Sequence, residues 1–248
     1  SAELVELYRS NREIFFEDCP DVLNQLRDEA MKQFELQGIP WRKNENYKYS
    51  DLRPAFQKDF TVIPRYVKQE IDLHDVFNCD VPRLESHVVL MINGWYYARN
   101  RKVGNLPEGV VCGSLNQVAS ENPELVEPFL GKLADVSKDP FAALNTGLAK
   151  DGLFLYIPDN VTVEKPIQVI NLLKNNESTF SNQRNLFILG KNAEAKVVFC
   201  DHTLNDNYYI ANNLIECFVD QDARLGLFSI QNQHTQATNI ASVFVKQE

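Results

Sequence analysis

Two cysteines and a histidine in the C-terminal half are the residues of this sequence best suited to bind a metal. Cys200 and His202 alternate within Phe199-Cys200-Asp201-His202, and Cys217 and His234 follow further along the chain. Thiolate sulfur and imidazole nitrogen are ligands that iron and zinc accept readily. The pattern equally suits a buried strand in which cysteine is a small hydrophobic residue. Cys200, His202 and Cys217 are therefore candidate metal ligands, with a structural role as the alternative.

Acidic residues in the same region suggest a second chemistry, the paired-carboxylate hydrolysis of carbohydrate. The candidates are Asp201, Asp206, Glu216, Asp220 and Asp222. Three of them, Asp206, Asp220 and Asp222, fall in predicted turns, where a solvated charge is the ordinary state. A carbohydrate-active enzyme is accordingly the weaker alternative.

The sequence lacks the short motifs of the common nucleotide-binding and hydrolytic sites. Gly131-Lys132 and Gly190-Lys191 are its only Gly-Lys pairs, and Val126 and Asn185 stand where a phosphate-binding loop needs its first glycine. No two glycines lie two residues apart, and Cys-x-x-Cys, His-Glu-x-x-His and Gly-x-Ser-x-Gly do not occur. We therefore expect neither ATP hydrolysis by this route nor dinucleotide binding through this fingerprint.

After Gly152 the sequence consists of short apolar or alternating runs, which predict strands and no helix. The predicted strands are 153–157, 161–163, 167–173, 186–189, 196–199, 214–219 and 225–230. The breaks between them are rich in asparagine, a residue that tolerates the left-handed backbone of turns. The asparagines assigned to these breaks are Asn171, Asn175, Asn176, Asn182, Asn185, Asn192, Asn205, Asn207, Asn212 and Asn213.

These predicted strands also repeat weakly. Val163–Ile167 aligns with Asn192–Lys196 at a shift of 29 residues, and Asn192-Ala193 aligns with Asp222-Ala223 at a shift of 30. A period of this size built only from strands and turns is typical of stacked β-coils. A β-sandwich, whose strands need no common register, is the alternative.

The first 150 residues read differently, as helices with one hairpin. Apolar residues at helical spacing predict a helix that starts near Asp21 and ends at Gly38, and two further helices between Ser114 and Lys150, one of them carrying Leu125, Phe129 and Leu133 on one face. Asn93-Gly94 between two apolar runs predicts a β-hairpin near residues 88–97. We therefore divide the chain into a helical region, 1–150, and a β-coil region, 151–248.

Residues 41–52 mix aromatic and basic side chains without a regular period. We expect this segment to be structural, with Trp41, Tyr47 and Tyr49 packed between a helix and the hairpin. Recognition of another molecule is the alternative interpretation.

Composition limits the classes of partner. The chain carries 25 Lys and Arg against 34 Asp and Glu, a net charge of −9, which disfavours nucleic acid and anionic membranes as partners.

The longest aliphatic run, Val88–Ile92, is too short to span a bilayer, and no charged-then-apolar leader begins the sequence. The five cysteines, at 19, 79, 112, 200 and 217, are odd in number and scattered, as reduced thiols are. A cytoplasmic location is expected.

Several ordered sequence blocks resemble one known family. They are Gly38-Ile39-Pro40-x-Arg42-Lys43-x-Glu45-Asn46-Tyr47-Lys48-Tyr49-Ser50-x-Leu52, Asp139-Pro140-Phe141-Ala142-Ala143-Leu144-Asn145, Asp151-Gly152-Leu153-Phe154-Leu155-Tyr156-Ile157-Pro158, Val163-Glu164-Lys165-Pro166-Ile167 and Arg184-Asn185-Leu186-Phe187-Ile188-Leu189-Gly190-Lys191-Asn192-Ala193. The set is similar to the SufB/SufD family of the SUF iron–sulfur cluster assembly system, and the first block favours the SufD branch over SufB.

The resemblance implies a right-handed parallel β-helix after an N-terminal helical region. It also implies a non-catalytic scaffold subunit that acts with a SufB-like paralogue and a SufC-like ATPase, with the cluster handled by the complex and no cofactor held by this chain alone. A homodimer and a SufB-like scaffold that carries a cluster directly are alternatives. The family's later coils, its Cys-Ser-His-Gly-Ala-Thr stretch and its C-terminal helices have no counterpart in the sequence, which therefore resembles a C-terminally shortened member.

Overall fold

A computed structural model describes residues 1–68, 70–72, 84–97 and 103–248; Cys79 lies outside these residues. The chain forms a β-solenoid of about three turns, with an N-terminal helical region packed against one face. The predicted parallel β-helix is confirmed. Among the described residues, no helix is both long and apolar enough to cross a membrane.

Two sheets face each other across the solenoid core. The strands are β1 (Thr61–Val62), β2 (His87–Ile92), β3 (Trp95–Tyr96), β4 (Val111–Ser114), β5 (Leu153–Ile157), β6 (Ile167–Leu173), β7 (Thr179–Leu189), β8 (Glu194–Thr203), β9 (Tyr209–Val219), β10 (Arg224–Asn232) and β11 (Ala237–Gln247). The first sheet has the spatial order β11-β9-β7-β5-β4, and β1 also pairs with β7. The second sheet has the order β10-β8-β6-β2-β3.

The strands stack in parallel with a register of 30 residues. Ile167 lies opposite Val197, Glu194 lies opposite Arg224, and Thr179 lies opposite Tyr209. The predicted shift of 30 is therefore confirmed. The shift of 29 is wrong because the turn between β5 and β6 is longer, so that Thr162 bridges to Glu194.

Alternate side chains from both sheets fill the space between them. Val197 and Phe199 from β8 meet Ile215 and Cys217 from β9 in one apolar cluster. Several neighbouring strands are also covered on their outer face, and every residue of β6 and β7 is buried. Burial on both sides explains why parts of these strands, such as Leu186–Leu189 of β7, read as continuous apolar runs instead of a clean alternation.

One corner of each coil places a residue in the left-handed backbone region. Asn160, Asn192 and Asp222 have φ angles of 61°, 54° and 59°. Asn192 also donates its side-chain amide to Asn160 Oδ1 at 2.9 Å. Asparagine and aspartate adopt this conformation at lower cost than other side chains, which explains their recurrence at this corner.

Half of the asparagines assigned to turns lie inside strands instead, so that assignment was wrong for them. These are Asn171 in β6, Asn182 and Asn185 in β7, and Asn212 and Asn213 in β9. Stacking at equivalent positions lets side-chain amides bond from coil to coil, as Asn212 does to Asn182 Oδ1 at 3.2 Å. The strands are consequently longer than predicted.

Six helices lie in the described part of the chain before β5. They are α1 (Ala2–Ser10), α2 (Arg12–Phe16), α3 (Asp21–Gln37), α4 (Leu115–Glu121), α5 (Pro123–Val126) and α6 (Pro140–Leu148), with 3₁₀ turns at Glu45–Tyr47 and Arg53–Gln57. The predicted helix from Asp21 to Gly38 is confirmed, and Gly38 ends it with a φ of 68°. The predicted helix through Leu133 is wrong, because α5 ends at Val126 and Gly131 turns the chain with a φ of 74°.

Helix α6 joins the helical region to the solenoid. Asp139 accepts hydrogen bonds from the amides of Phe141 and Ala142 and so caps the helix. Asn145 donates to two carbonyls of the first sheet, those of Gln183 and Asn212. From the other side the buried Arg27 of α3 donates to the carbonyl of Gly147 at 2.8 Å.

The predicted hairpin is confirmed: β2 and β3 pair antiparallel across Asn93-Gly94. Its first strand also pairs in parallel with β6, which makes it part of the second sheet. The buried Asp151 accepts hydrogen bonds from the Tyr96 amide and from the Ser114 hydroxyl, and thereby links the hairpin to β4. Strands of both sheets therefore occur before residue 150.

Candidate functional site

The three predicted metal ligands lie on two different sheets. Cys200 and His202 belong to β8 of the second sheet, whereas Cys217 belongs to β9 of the first sheet and packs in the core between the sheets. Cys200 is 1% exposed, and its sulfur accepts a long contact from the Gln168 amide at 3.6 Å. The structure therefore does not bring the three residues together.

The protonation states of these residues follow from their burial. Burial raises the pKa of the Cys217 thiol to about 12, with a smaller contribution from the neighbouring Glu216 charge. Burial lowers the pKa of His202, whose Nε2 atom is buried without a hydrogen-bond partner. Within the described ranges, no group of three or more His, Cys, Asp or Glu side chains has a metal-binding arrangement. The metal assignment stays a prediction.

Asp201, considered above as an acid for carbohydrate hydrolysis, is part of a polar cluster that joins the two sheets. Its two carboxylate oxygens accept hydrogen bonds from Asn171 at 2.7 Å and from Asn239 at 3.2 Å. Burial raises the pKa of Asp201, against the lowering effect of these two amides. The carboxyl group is therefore committed to bonds between β6, β8 and β11.

The carboxylate of Glu216, another of the acids considered for carbohydrate hydrolysis, forms an ion pair as well as hydrogen bonds. Its carboxylate forms an ion pair with Arg184 at 2.6 Å, and the two side chains are 0% and 2% exposed. It also accepts hydrogen bonds from the amides of Gly131, Leu133 and Ala134. Burial would raise the pKa of Glu216, but the Arg184 charge and the three amides together hold it below its ordinary value.

This buried pair holds the chain between α5 and α6 against the solenoid. Arg184 lies in β7, Glu216 lies in β9, and Arg184 also donates to the Thr146 hydroxyl of α6 at 2.8 Å. The architectural role of Arg184 was not predicted from the sequence. The available signal was a charged residue inside an otherwise uncharged strand, which a buried ion pair explains.

Residues 41–58, which we call the basic–aromatic segment, carry two exposed aromatic rings beside the solenoid, those of Trp41 and Tyr49. Tyr47 packs edge-on against Phe141 of α6 with a centroid distance of 5.6 Å and donates to Asp139 at 3.1 Å, which confirms the predicted packing against a helix; the described apolar cluster that it joins contains no residue of the hairpin. The same prediction was wrong for Trp41 and Tyr49, which are 38% and 91% exposed. Only one of the three rings is packed against the fold.

The faces of the exposed rings carry cations. Lys43 Nζ lies 4.8 Å and Arg53 Cζ lies 4.5 Å from the centroid of the Trp41 ring. Lys48 Nζ lies 5.1 Å from the Tyr49 ring. Stacking of this kind orders long basic side chains while leaving their charges in contact with water.

Family models match nearly the whole chain. A model described as the SufBD protein N-terminal region matches residues 1–169, and one described as the SUF system FeS cluster assembly, SufBD core domain, matches residues 172–248. The boundary between the two models falls close to the beginning of β6.

Curated relatives carry the same description. An iron–sulfur cluster assembly SufBD family protein of Synechocystis sp. is 22% identical over 218 residues, which are 84% of this chain and 47% of the relative. A family protein of Staphylococcus haemolyticus is 22% identical over 191 residues, which are 75% of this chain and 40% of the relative. One from Staphylococcus aureus is 21% identical over 198 residues, which are 77% and 41% of the two chains. The chain thus spans less than half the length of these relatives.

Proposed function

Because the chain belongs to the SufBD family, which is involved in iron–sulfur cluster assembly, we propose that it acts as a non-catalytic scaffold subunit in such an assembly complex. Within the family we assign it to the SufD branch, on the block from Gly38 to Leu52. The observation that carries the proposal is the ordered match of both family domains to a chain that folds as a 30-residue solenoid.

The chemistry of the described side chains supports a scaffold. The buried carboxylates Asp201 and Glu216 accept hydrogen bonds that connect coils, and Glu216 also neutralises Arg184. Groups tied into the architecture in this way are poorly placed to exchange protons with a substrate. The sequence offers no phosphate-binding loop, so ATP hydrolysis in the complex would belong to another subunit.

We propose that the partners are a SufB-like subunit and a SufC-like ATPase, that the complex works in the cytoplasm, and that an iron–sulfur cluster is its cargo. The test is co-expression of the full-length protein that contains these residues with both candidate partners from the same organism. A stable ternary complex that transfers a cluster to an apo-ferredoxin is expected. Elution of the protein alone, with unchanged cluster transfer by the other two subunits, would overturn the proposal.

Direct carriage of a cluster by this chain is the alternative that Cys200, His202 and Cys217 raise. Anaerobic reconstitution of the chain with iron and sulfide, followed by visible absorbance, tests it. We expect no cluster absorbance above that of the Cys200→Ser/Cys217→Ser variant, because the two thiols lie on different sheets. Absorbance lost specifically in that variant would favour carriage over the scaffold role.

A further inference from the structure

We propose that the basic–aromatic segment, residues 41–58, is a docking surface for an acidic segment of a partner protein. The inference rests on the charges, exposure and fixed backing of this segment, and it does not depend on the proposed function.

Charge distinguishes the segment from the rest of the chain. It contains the five basic residues Arg42, Lys43, Lys48, Arg53 and Lys58 and two acidic ones, a net charge of +3. Outside the segment the net charge is −12, since the whole chain carries −9. The segment is therefore a basic island on an acidic protein.

Part of this positive charge has no internal counterion. Lys48 pairs with Glu45, and Arg53 pairs with Asp51. Lys43 and Lys58 form no ion pair with any described residue, and Arg42 forms none either, although it lies close enough to Asp51 to help lower the pKa of that carboxyl. Lys43, which lies over the exposed Trp41 ring, and the exposed Arg42, its neighbour in the sequence, are thus available to carboxylates from outside.

The exposed side chains are of the types that dominate protein interfaces. Tryptophan, tyrosine and arginine are enriched among residues whose removal costs the most binding energy. Trp41, Tyr49 and Arg42 supply one of each, and all three are exposed. Such rings bury a large area at little conformational cost.

The inner side of the segment is fixed to the fold, which favours binding without reorganisation. Phe56 stacks on Phe141 at 5.9 Å and contacts Phe180 edge-on at 5.5 Å. Tyr208 donates to the carbonyl of Ala55 at 2.8 Å. A surface held in place before binding loses less entropy on association.

An acidic peptide segment fits this surface better than a nucleic acid or a membrane does. A short acidic peptide can contact the segment, with its net charge of +3, without contacting the rest of the protein. An extended polyanion or a charged bilayer would also approach the rest of the chain, whose net charge of −12 repels it. Complementary charge increases the association rate, and the aromatic rings would supply apolar contact.

The binding test uses the full-length protein and a fluorescein-labelled synthetic peptide of about twelve residues that combines Glu and Asp with Leu and Phe. Anisotropy at low salt is expected to show saturable binding, weakened on the order of tenfold by Arg42→Glu/Lys43→Glu and severalfold by Trp41→Ala. The matched control Lys191→Glu/Lys196→Glu reverses two exposed charges on the solenoid and is expected to leave the affinity within about twofold.

If Lys191→Glu/Lys196→Glu weakens peptide binding as much as Arg42→Glu/Lys43→Glu does, the proposal is overturned. Peptide affinity would then depend on the overall charge of the protein and not on this segment. Tighter binding of a single-stranded RNA oligonucleotide or of phosphatidylserine vesicles than of the peptide would also overturn it. As an independent measurement, a photocrosslinker placed at residue 49 in cells should capture protein segments of net negative charge. Capture of segments without such charge would contradict the proposed partner.

Discussion

The solenoid and the basic–aromatic segment use similar ion pairs for opposite purposes. Arg184 and Glu216 approach to 2.6 Å with at most 2% of either side chain exposed, and they fasten two coils to the neighbouring helical region. Arg53 and Asp51 approach to 2.5 Å with 45% and 23% exposed, and they leave the segment's surface in contact with water. The comparison teaches that burial, and not pair geometry, separates an ion pair that stabilises the architecture from one that stays in contact with water.

The largest effect is expected where a buried charge loses its counterion. Glu216→Ala should lower the free energy of unfolding by about 3–5 kcal/mol, because the Arg184 guanidinium would stay buried and uncompensated. Urea denaturation measures the change. Glu35→Ala is the matched control: its pair with Arg9 has the same 2.6 Å distance but is about half exposed, so a loss of at most about 1 kcal/mol is expected. Equal losses would contradict the comparison.

A backbone change inside the solenoid should come next. A Cβ atom at Gly152 would lie 1.7 Å from the carbonyl oxygen of Arg184, so Gly152→Ala must displace β5 or β7. A loss of about 3 kcal/mol is expected from overpacking of this kind. Gly113→Ala in β4, where a Cβ meets nothing within 4 Å, should change stability by less than about 0.5 kcal/mol. Similar melting curves for the two variants would show that the backbone around Gly152 can shift at little cost in free energy.

The segment itself offers a sharper comparison between two tyrosines. Tyr47→Ala should cost about 2 kcal/mol, roughly half of the value for a fully buried ring, because Tyr47 is half-buried on Phe141 and bonded to Asp139. A fall in melting temperature of about 4–8 °C follows for a chain of this size. Tyr49→Ala, at a ring that is 91% exposed, should leave the melting temperature unchanged. A lower melting temperature for Tyr49→Ala would place that ring in the fold after all.

The smallest effect concerns the pH dependence of stability. Burial lowers the pKa of His202 in the folded chain below its value of about 6.5 in the unfolded chain, so the unfolded state binds more protons in acid. Above pH 6.5 His202 is neutral in both states, so the free energy of unfolding is not reduced by this group. As the pH falls below 6.5 toward and through the lower pKa of His202 in the folded chain, protonation of the unfolded state reduces the free energy of unfolding. His202→Gln should therefore flatten the fall in stability below pH 6.5, measured by urea denaturation across this pH range. An unchanged slope in His202→Gln would mean that the ring is solvated in the native state.

Much of the architecture could be predicted from local patterns. Asn192 and Asp222 marked equivalent corners at the correct shift of 30, and Asp21 and Gly38 marked the ends of α3. These positions depend on backbone conformation, which the residue type itself restricts.

The missed features depend on contacts between residues far apart in the sequence. Asn182 and Asn212 resemble turn residues until the coils stack and their amides bond to each other. Arg184 and Glu216 resemble surface charges until β7 and β9 bury them together. The exposure of Trp41 and Tyr49 could not be predicted from the sequence either, because aromatic residues are more often buried.

The turn at Asn93-Gly94 is a place where the chain can change chemically. An asparagine followed by glycine readily deamidates, because the glycine nitrogen can attack the side-chain carbonyl carbon, close a succinimide and release ammonia. In the fold, Asn93 donates to the carbonyl of Lys174 at 2.7 Å and accepts from its amide at 3.0 Å, which holds the side chain in place. The reaction then requires this contact to open. Aspartate or isoaspartate at position 93, formed when water opens the succinimide, would therefore accumulate as a record of how often this contact with Lys174 has opened, and it would leave the Lys174 carbonyl without the amide donor of Asn93.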